Sequence, residues 1–500
     1  MRPVLTAAET QALDRATEER GVSIELLMER AGLAVARAAV GVAGGAYGRR
    51  AVVVAGKGNN GGDGLVAARY LSRWGMGVVV LLLAPPDEFR EPAAANLGRL
   101  DGIRTVPFDP GTLGRELGRA DVAVDALFGS GFRGVAEGAH AAAIELLNAG
   151  GAPVVAVDVP SGVEGDTALV RGPAVLAAAT VTFGAAKVGN VLFPGAAHAG
   201  EVIVADIGFP PDLLVADVHL VEDTDIRELL PVRSPEGHKR RSGVVLVVAG
   251  SRHMTGAPSL VARGAYRAGA GLVRIAVPAG ILPIVQSLLA ETTFRSLAEG
   301  TEGSIAEDAL DERDLASFDA VAIGPGLSTD GGTPAFVRRL VRTAPVPVVV
   351  DADAINAFAG RPGEVAETAS EIVLTPHTGE FARLFGMSPG EVPEDRIGLA
   401  RKAAAETRSV VLLKGARTIV ATPGGEVRVN PTGSPALSTG GTGDVLTGAI
   451  AAFIGRGLAA ADAATVAAYV HGLAGELLED GAVAGDVAEA LPEAVRRVRG

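Results

Sequence analysis

Cysteine is absent from all 500 residues, which excludes disulfides, thiolate metal sites and a cysteine nucleophile. A reducing cytosol is the default compartment for such a chain, so a cytoplasmic location is expected. Aromatic residues are scarce, at 4 %, and lysines are few. No apolar run is long: the longest, Gly77 to Ala84, is far too short to cross a bilayer. Near the start, Arg15, Glu18, Glu19 and Arg20 stand where a signal peptide would need an apolar stretch, so no secretory leader is expected. Concentrated positive charge is also missing. The net charge is −13, and the densest basic patch is only His238-Lys239-Arg240-Arg241, the composition of a solvated loop or a small phosphate contact. That balance argues against nucleic acid as the main partner. What remains is a glycine-rich chain with 48 % apolar residues, ordinary for a soluble α/β protein.

Five hundred residues exceed what one core usually supports, so two domains are expected. Residues 6–20 and 23–40 read as helices, with a capping box at Thr6 and Glu9 and a cap at Ser23. Short β-branched runs then alternate with Ala/Leu/Arg helices. Ala51–Ala55, Val78–Leu83, Val122–Ala126, Val154–Val157 and Val202–Ala205 are the clearest strands, and their continuous apolar character predicts a parallel sheet covered on both faces. Between Gly208 and Gly243 the alternation lapses into a connector marked by Pro210, Pro211, Pro231 and Pro235. The boundary is placed near 218, giving domains 1–218 and 219–500. The second βα series runs through Val244–Ala249, Leu272–Val277, Ala320–Ile323, Pro347–Val350, Ile372–Leu374 and Val410–Leu413, with a hairpin around Pro423-Gly424-Gly425.

In open α/β sheets, ligands bind beyond the carboxyl ends of the strands, and here the chemically interesting residues fall there in both halves. After the first strand comes Gly56-Lys57-Gly58-Asn59-Asn60-Gly61-Gly62-Asp63-Gly64, read as a turn before a helix over Leu65–Trp74. Gly56, Gly58 and Gly61 match G-x-G-x-x-G, a weak signal alone. The asparagines suit a hard cation or a polyhydroxyl ligand, although a plain turn also tolerates them. Asp125 opens Asp125-Ala126-Leu127-Phe128-Gly129-Ser130-Gly131-Phe132-Arg133-Gly134, a loop able to wrap a phosphate, and Asp158 precedes Ser161 and Gly162 at the next strand end. Two carboxylates beside Asn60 and Ser161 make a cation site with an acid/base residue plausible.

In the second half, Ser438-Thr439-Gly440-Gly441-Thr442-Gly443-Asp444 leads straight into an apolar helix. Glycines at a helix start let a ligand approach the unpaired N–H groups, which makes an anion site suited to phosphate. Asp444 beside a bound phosphate needs a proton to handle or a cation to hold. A glycine-rich lead-in with an acidic first turn would be the bland alternative. Ala257 and Gly326 read as backbone clearance. His377, between Pro376 and Gly379-Glu380, reads as a ligand contact or a satisfied loop residue, and Lys414 at a strand terminus suits a nucleotide phosphate.

Residues 50–70 (AVVVAGKGNNGGDGLVAARYL), 125–134 (DALFGSGFRG), 157–162 (VDVPSG) and 184–195 (GAAKVGNVLFPG) resemble the NAD(P)H-hydrate epimerase domain. From about residue 219 onward, HK at 238–239, the TPHTGE box, LLKGA and STGGTGD resemble the ADP/ATP-dependent NAD(P)H-hydrate dehydratases of the ribokinase-like superfamily. The resemblance implies a Rossmann-like three-layer α/β sandwich followed by a ribokinase-like α/β domain. In the first it implies potassium held by Asn60, Asp125 and Ser161. Substrate contacts would come from Asn59, Asn60, Gly61, Gly62 and Asp63, from Gly129, Ser130, Gly131, Phe132, Arg133, Gly134 and Val135, and from Asp158 as the acid/base. In the second it implies substrate contacts at Ala257, Gly326, His377 and Asp444, and nucleotide contacts at Lys414, Gly415, Ala416, Arg417, Thr418 and Gly443. Magnesium would accompany ADP or ATP, and Asp444 would take the proton of the substrate hydroxyl. A tyrosine frequent in the family is Met254 here. The implied partners are hydrated NADH or NADPH and the nucleotide, with no nucleic acid and no membrane, and a homo-oligomer is expected. A small-molecule kinase would use Gly441 to Asp444 equally well, and a silent scaffold is a third reading. Against these stand the fused first domain and the intact Asn60, Asp125 and Asp158.

Overall fold

The structure, a computed structural model, describes residues 1–232, 239–300, 303–310 and 312–500. The chain divides into two compact units, Arg2–Val218 and His219–Gly500 with Met1. No helix among the described residues is long and apolar enough to cross a membrane.

In the first unit a seven-stranded sheet runs in the order Arg104–Pro107, Gly77–Leu82, Arg50–Ala55, Val122–Ala126, Val154–Val157, Ala179–Phe183, Glu201–Ala205, every pair parallel. Alternate residues of each strand point to opposite faces, so an apolar run supplies two cores at once. Val53, Val80, Val124 and Val155 pack with Ile24–Val42 and Asn59–Arg73 on one side. Val52, Val54, Leu81 and Ala123 pack with Pro110–Leu117 and Gly138–Ala149 on the other. The unit is therefore a three-layer, Rossmann-like α/β sandwich. Strand order reverses between Arg50–Ala55 and Val122–Ala126, which opens a crevice at their carboxyl ends.

Helix Ala7–Glu19 carries the expected Thr6/Glu9 capping box, and Ser23 caps Ile24–Val42. The helix expected at Leu65–Trp74 instead begins at Asn59 and ends at Arg73. Its first turns are built from glycine because nothing larger fits. A Cβ at Gly61 would lie 1.8 Å from the Gly56 carbonyl oxygen, and one at Gly64 would lie 2.4 Å from Ala126 Cβ. Residues that read as a turn are thus helix pressed against strand ends. Strand Ala179–Phe183, absent from the sequence reading, alternates threonine with apolar residues. Thr180 and Thr182 are fully buried, each spending its hydroxyl on a hydrogen bond.

In the second unit the sheet order is Thr293–Leu297, Leu272–Pro278, Val244–Val248, Ala320–Ile323, Val348–Val350, Ile372–Leu374, Val410–Leu413, again all parallel. The expected hairpin, Ile419–Ala421 with Val427–Val429, continues it antiparallel. Helix Thr442–Gly455 is buried nearly all round, as its apolar sequence requires. It crosses Ala257–Arg267 with backbone contact: a Cβ at Gly448 would lie 1.9 Å from the Val261 carbonyl oxygen.

Candidate active sites

The crevice of the first unit is a cavity of about 570 Å³. The turn after Arg50–Ala55 and the loop after Val122–Ala126 form two of its walls, and they touch: a Cβ at Gly56 would lie 2.3 Å from the Leu127 carbonyl oxygen. Around this contact a cluster of oxygens is assembled. Ser161 donates its hydroxyl to Asp125 Oδ1 at 2.6 Å and its amide to Asp125 Oδ2 at 2.8 Å, and its own oxygen accepts the Phe128 amide at 2.9 Å. Asn60 Nδ2 donates to the Phe128 carbonyl at 2.9 Å, which fixes the amide so that Oδ1 is turned toward Gly129. Asp125 is fully buried and has no cationic partner among the described residues, and burial pushes its pKa up to about 6, partly offset by the Ser161 hydrogen bonds. One buried carboxylate among neutral carbonyl and hydroxyl oxygens carries a single negative charge, which fits a monovalent cation.

Asp158 stands at the end of the next strand with φ +65°, a left-handed conformation uncommon outside glycine. Its strain is contained because Asn190 Nδ2 donates to its carbonyl at 3.0 Å. One carboxylate oxygen accepts from the Ser130 amide at 3.0 Å. The other accepts from Thr182 Oγ1 at 3.1 Å and pairs with Lys187 Nζ at 2.9 Å. Burial alone would raise its pKa, but the Lys187 charge and the hydrogen bonds from Lys187 and Ser130 hold it below the ordinary carboxylate value. Asp158 is an anion at neutral pH.

In the second unit the loops after adjacent strands interlock. The Gly250 amide donates to the Pro325 carbonyl at 2.9 Å, and the Lys414 amide donates to that of Pro376 at 2.9 Å. Gly324, at φ +129°, lies against Asp351: a Cβ there would be 1.7 Å from the Asp351 carbonyl oxygen. The Asp351 carboxylate is fully engaged, by Thr375 Oγ1 at 2.8 Å, Thr447 Oγ1 at 2.6 Å and the Lys414 ammonium. Burial lowers the Lys414 pKa, but Asp351 and Glu380 more than restore it, so the ammonium stays charged. Gly443 leaves room for it, since a Cβ there would lie 3.3 Å from Nζ. Asp444, in the first turn of Thr442–Gly455, has its pKa pushed up to about 7 by burial and by Asp351, with Lys414 partly offsetting. A carboxylate near 7 beside an ammonium and a helix N-terminus can take a proton while a phosphoryl group is held.

Residues 245–497 match the family described as NAD(P)H-hydrate dehydratase, and residues 24–189 match the YjeF-related protein N-terminus. Over 99 % of its length the chain is 44 % identical to a bifunctional NAD(P)H-hydrate repair enzyme of Moorella thermoacetica, covering 97 % of that protein. The homologous enzyme of Thermofilum pendens is 42 % identical, at the same two coverages. The chain belongs to the family of bifunctional NAD(P)H-hydrate repair enzymes. Among solved structures, the ADP/ATP-dependent NAD(P)H-hydrate dehydratase of Bacillus subtilis, co-crystallised with ATP and Mg2+, is 32 % identical and covers 55 % of this chain and 97 % of its own, with a TM-score of 0.48.

Within this family frame, Asn59, Asn60, Asp63, Gly129, Ser130, Gly131, Phe132 and Asp158 all line the first cavity. Gly61 and Gly62 lie behind its wall. Arg133, Gly134 and Val135 turn away from it: Arg133 is paired with Asp166, the Gly134 amide donates to Glu164, and the Val135 side chain is exposed. Ala257 and Gly326 are brought together, for a Cβ on Gly326 would meet Ala257 Cβ at 3.1 Å and Met254 Cβ at 2.6 Å. His377 caps helix Thr378–Leu384, with Nδ1 accepting from Gly379 and Glu380 and the rest of the ring half exposed. Gly415 to Thr418 form the turn after Lys414, with Arg417 at φ +57° and Thr418 Oγ1 donating to the Gly415 carbonyl at 3.2 Å. His238 lies outside the described residues, as do the side chains of Lys239 and Arg241.

Several groups escaped the sequence reading. The Phe128 carbonyl carries no side-chain signal. Lys187 sits in the quoted GAAKVGNVLFPG stretch, where a lysine amid apolar residues was the available clue. Asp351, an acid just past a strand end, is held by three partners that only the fold brings to it. His471, buried with its pKa lowered to about 4 by burial, donates Nε2–H to the Thr442 carbonyl at 2.9 Å and steadies the helix start that carries Asp444.

Proposed function

We propose that this chain repairs hydrated nicotinamide nucleotides in two steps. The first unit interconverts the R and S forms of hydrated NADH or NADPH, and the second dehydrates the S form to NAD(P)H at the expense of ADP or ATP. In the first unit, Asn60, Asp125 and Ser161, with the Phe128 carbonyl, would hold potassium, which supplies the positive charge that the buried Asp125 lacks and so stiffens the loop presenting Gly129 to Phe132. Asp158, held ionised by Lys187, accepts a proton from the oxygen arriving at the ring. The start of helix Asn59–Arg73 presents unpaired amides to the same cavity, placed for the substrate's phosphates.

In the second unit the substrate's ring hydroxyl attacks the terminal phosphoryl group of the nucleotide as Asp444 removes its proton. The phosphate then leaves with its C–O electron pair as the ring-nitrogen lone pair forms N=C, and loss of the proton on the neighbouring ring carbon returns that pair to nitrogen and restores the ring double bond. Phosphorylation turns hydroxide into a good leaving group, which is why a ribokinase-like fold serves a lyase. Lys414 and the amides at the start of Thr442–Gly455 face the transferring charge. Magnesium would arrive with the nucleotide phosphates, because the Asp351 carboxylate is already committed to Lys414, Thr375 and Thr447. The reaction belongs in the cytoplasm, where the nucleotide pool is exposed to hydration.

The observation that carries this reading is end-to-end identity of 44 % to a bifunctional repair enzyme. Its test is incubation of mixed epimers of hydrated NADH with the chain, magnesium and ADP or ATP, following the return of dihydronicotinamide absorbance. Complete recovery of both epimers is expected. Recovery of the S form alone would remove the epimerase assignment, and no recovery would remove both.

A further inference from the structure

Three carboxylates, Asp14, Asp63 and Asp158, line the first cavity, and they are not held alike. Asp158 is saturated by Lys187, Thr182 and the Ser130 amide. Asp63, 8 % exposed, reaches the same cavity from the start of helix Asn59–Arg73. Among the described residues no donor hydrogen-bonds its carboxyl and no cation pairs with it. Lys57 and His140 also line the cavity, but the charges that reach Asp63 are those of Asp158, Asp14 and Lys187. Lys57 is paired with Glu88, and the contacts of Lys187 commit it to Asp158, so neither ammonium neutralises Asp63. A buried carboxyl left without donors keeps its proton. Burial accordingly raises the Asp63 pKa well above the ordinary value, Asp158 and Asp14 raise it further, and Lys187 only partly offsets them.

We propose that Asp63 is a further catalytic residue of the first site, the proton donor that complements Asp158 as acceptor. The ring-nitrogen lone pair forms the N=C bond while the C–O bond breaks, and Asp63 gives its proton to the departing oxygen, which leaves as water. Water then adds to the other face of the same carbon, its oxygen lone pair forming the new C–O bond while the N=C electrons return to nitrogen, and Asp158 takes the released proton. The enzyme is left with Asp63 ionised and Asp158 protonated. That form runs the reverse conversion, or it exchanges the proton with solvent and resets. Two carboxyls in opposite protonation states are what such an exchange requires.

The proposal rests on the epimerase reading, and the experiment separates the two. Epimer conversion is followed chromatographically for the full chain and for Asp63→Asn. Trp74, the sole tryptophan, directly follows the helix carrying Asp63, so its fluorescence melt reports whether that unit is folded. Folded Asp63→Asn is expected to lose about 10²–10⁴-fold in kcat while dehydration of the S epimer by the other unit proceeds at the parent rate. Its melting point should hold, because the amide copies a neutral carboxyl. The parent enzyme's kcat/KM should decline on the alkaline side as Asp63 ionises. Folded Asp63→Asn within about threefold of the parent kcat, or a parent profile flat into the alkaline range, overturns the proposal. Absence of epimerisation in the parent chain overturns instead the reading beneath it.

Discussion

Lys187 and Asp158 form an ion pair inside the first unit, 2.9 Å apart, with 1 % of the lysine side chain exposed. The ammonium also donates to Thr182 Oγ1 at 3.0 Å and to the carbonyls of Phe183 and Ala185 at 3.1 Å each. All its protons are therefore engaged, as a buried charge requires.

Removing that lysine leaves an anion stranded. Lys187→Met should destabilise the first unit by about 3–5 kcal/mol, the usual cost of breaking a buried pair. Asp158's pKa is depressed in the folded state, so its contribution to stability is present above the ordinary carboxylate pKa and is lost as pH falls through the folded value. In Lys187→Met that acid-range loss should vanish. Trp74 fluorescence melts at neutral and acid pH check both statements.

Asp444 must lose its proton to act as a base, and its pKa lies at about 7. The dehydratase kcat/KM is expected to rise with pH through that region and then level off. Asp444→Ala should lower it by about 10²–10⁴-fold, the usual worth of a general base, while epimerisation is unaffected. Steady-state rates across neutral pH decide this.

Potassium should bind the folded first unit and not the unfolded chain. A hundredfold excess over its Kd would then add about 2.7 kcal/mol, seen as a higher Trp74 melting temperature in potassium than in choline chloride. Asp125→Asn should abolish the difference by removing the buried charge that attracts the ion.

His377 caps a helix, and the substrate contact we propose for it is a second role that substitution can separate. His377→Ala deletes the cap of Thr378–Leu384 and should cost about 1 kcal/mol, together with a higher KM for the hydrated substrate. His377→Asn, a good N-cap, should restore the stability and leave KM high. If KM recovered as well, the imidazole would be only a cap.

Much of the fold was legible in short stretches. Val154–Val157, Ala320–Ile323, Ile372–Leu374 and Val410–Leu413 end where the apolar runs end, because a strand buried on both faces tolerates little else. The start of Asn59–Arg73 was hidden because glycine and asparagine disfavour helix locally, and only contact with Gly56 and Ala126 demands residues that small. Strand Ala179–Phe183 was hidden because its buried threonines look polar until their partners are known.

The candidate sites divide in the same way. Asp158, Asp125 and Asp444 were visible as acids at strand ends and a helix start. That Ser161 would bond Asp125, or that Lys187 would find Asp158, depends on loops closing over a crevice.

By itself the sequence determined the succession of buried strands and covering helices, and which loops carry acids, because those follow from the alternation and spacing of neighbouring residues. Only the tertiary structure decided which acids keep their protons: Asp63 and Asp444 do so readily while Asp158 does not. A carboxyl's charge is set by burial and by whichever cation lies against it, and here that cation comes from a distant part of the chain.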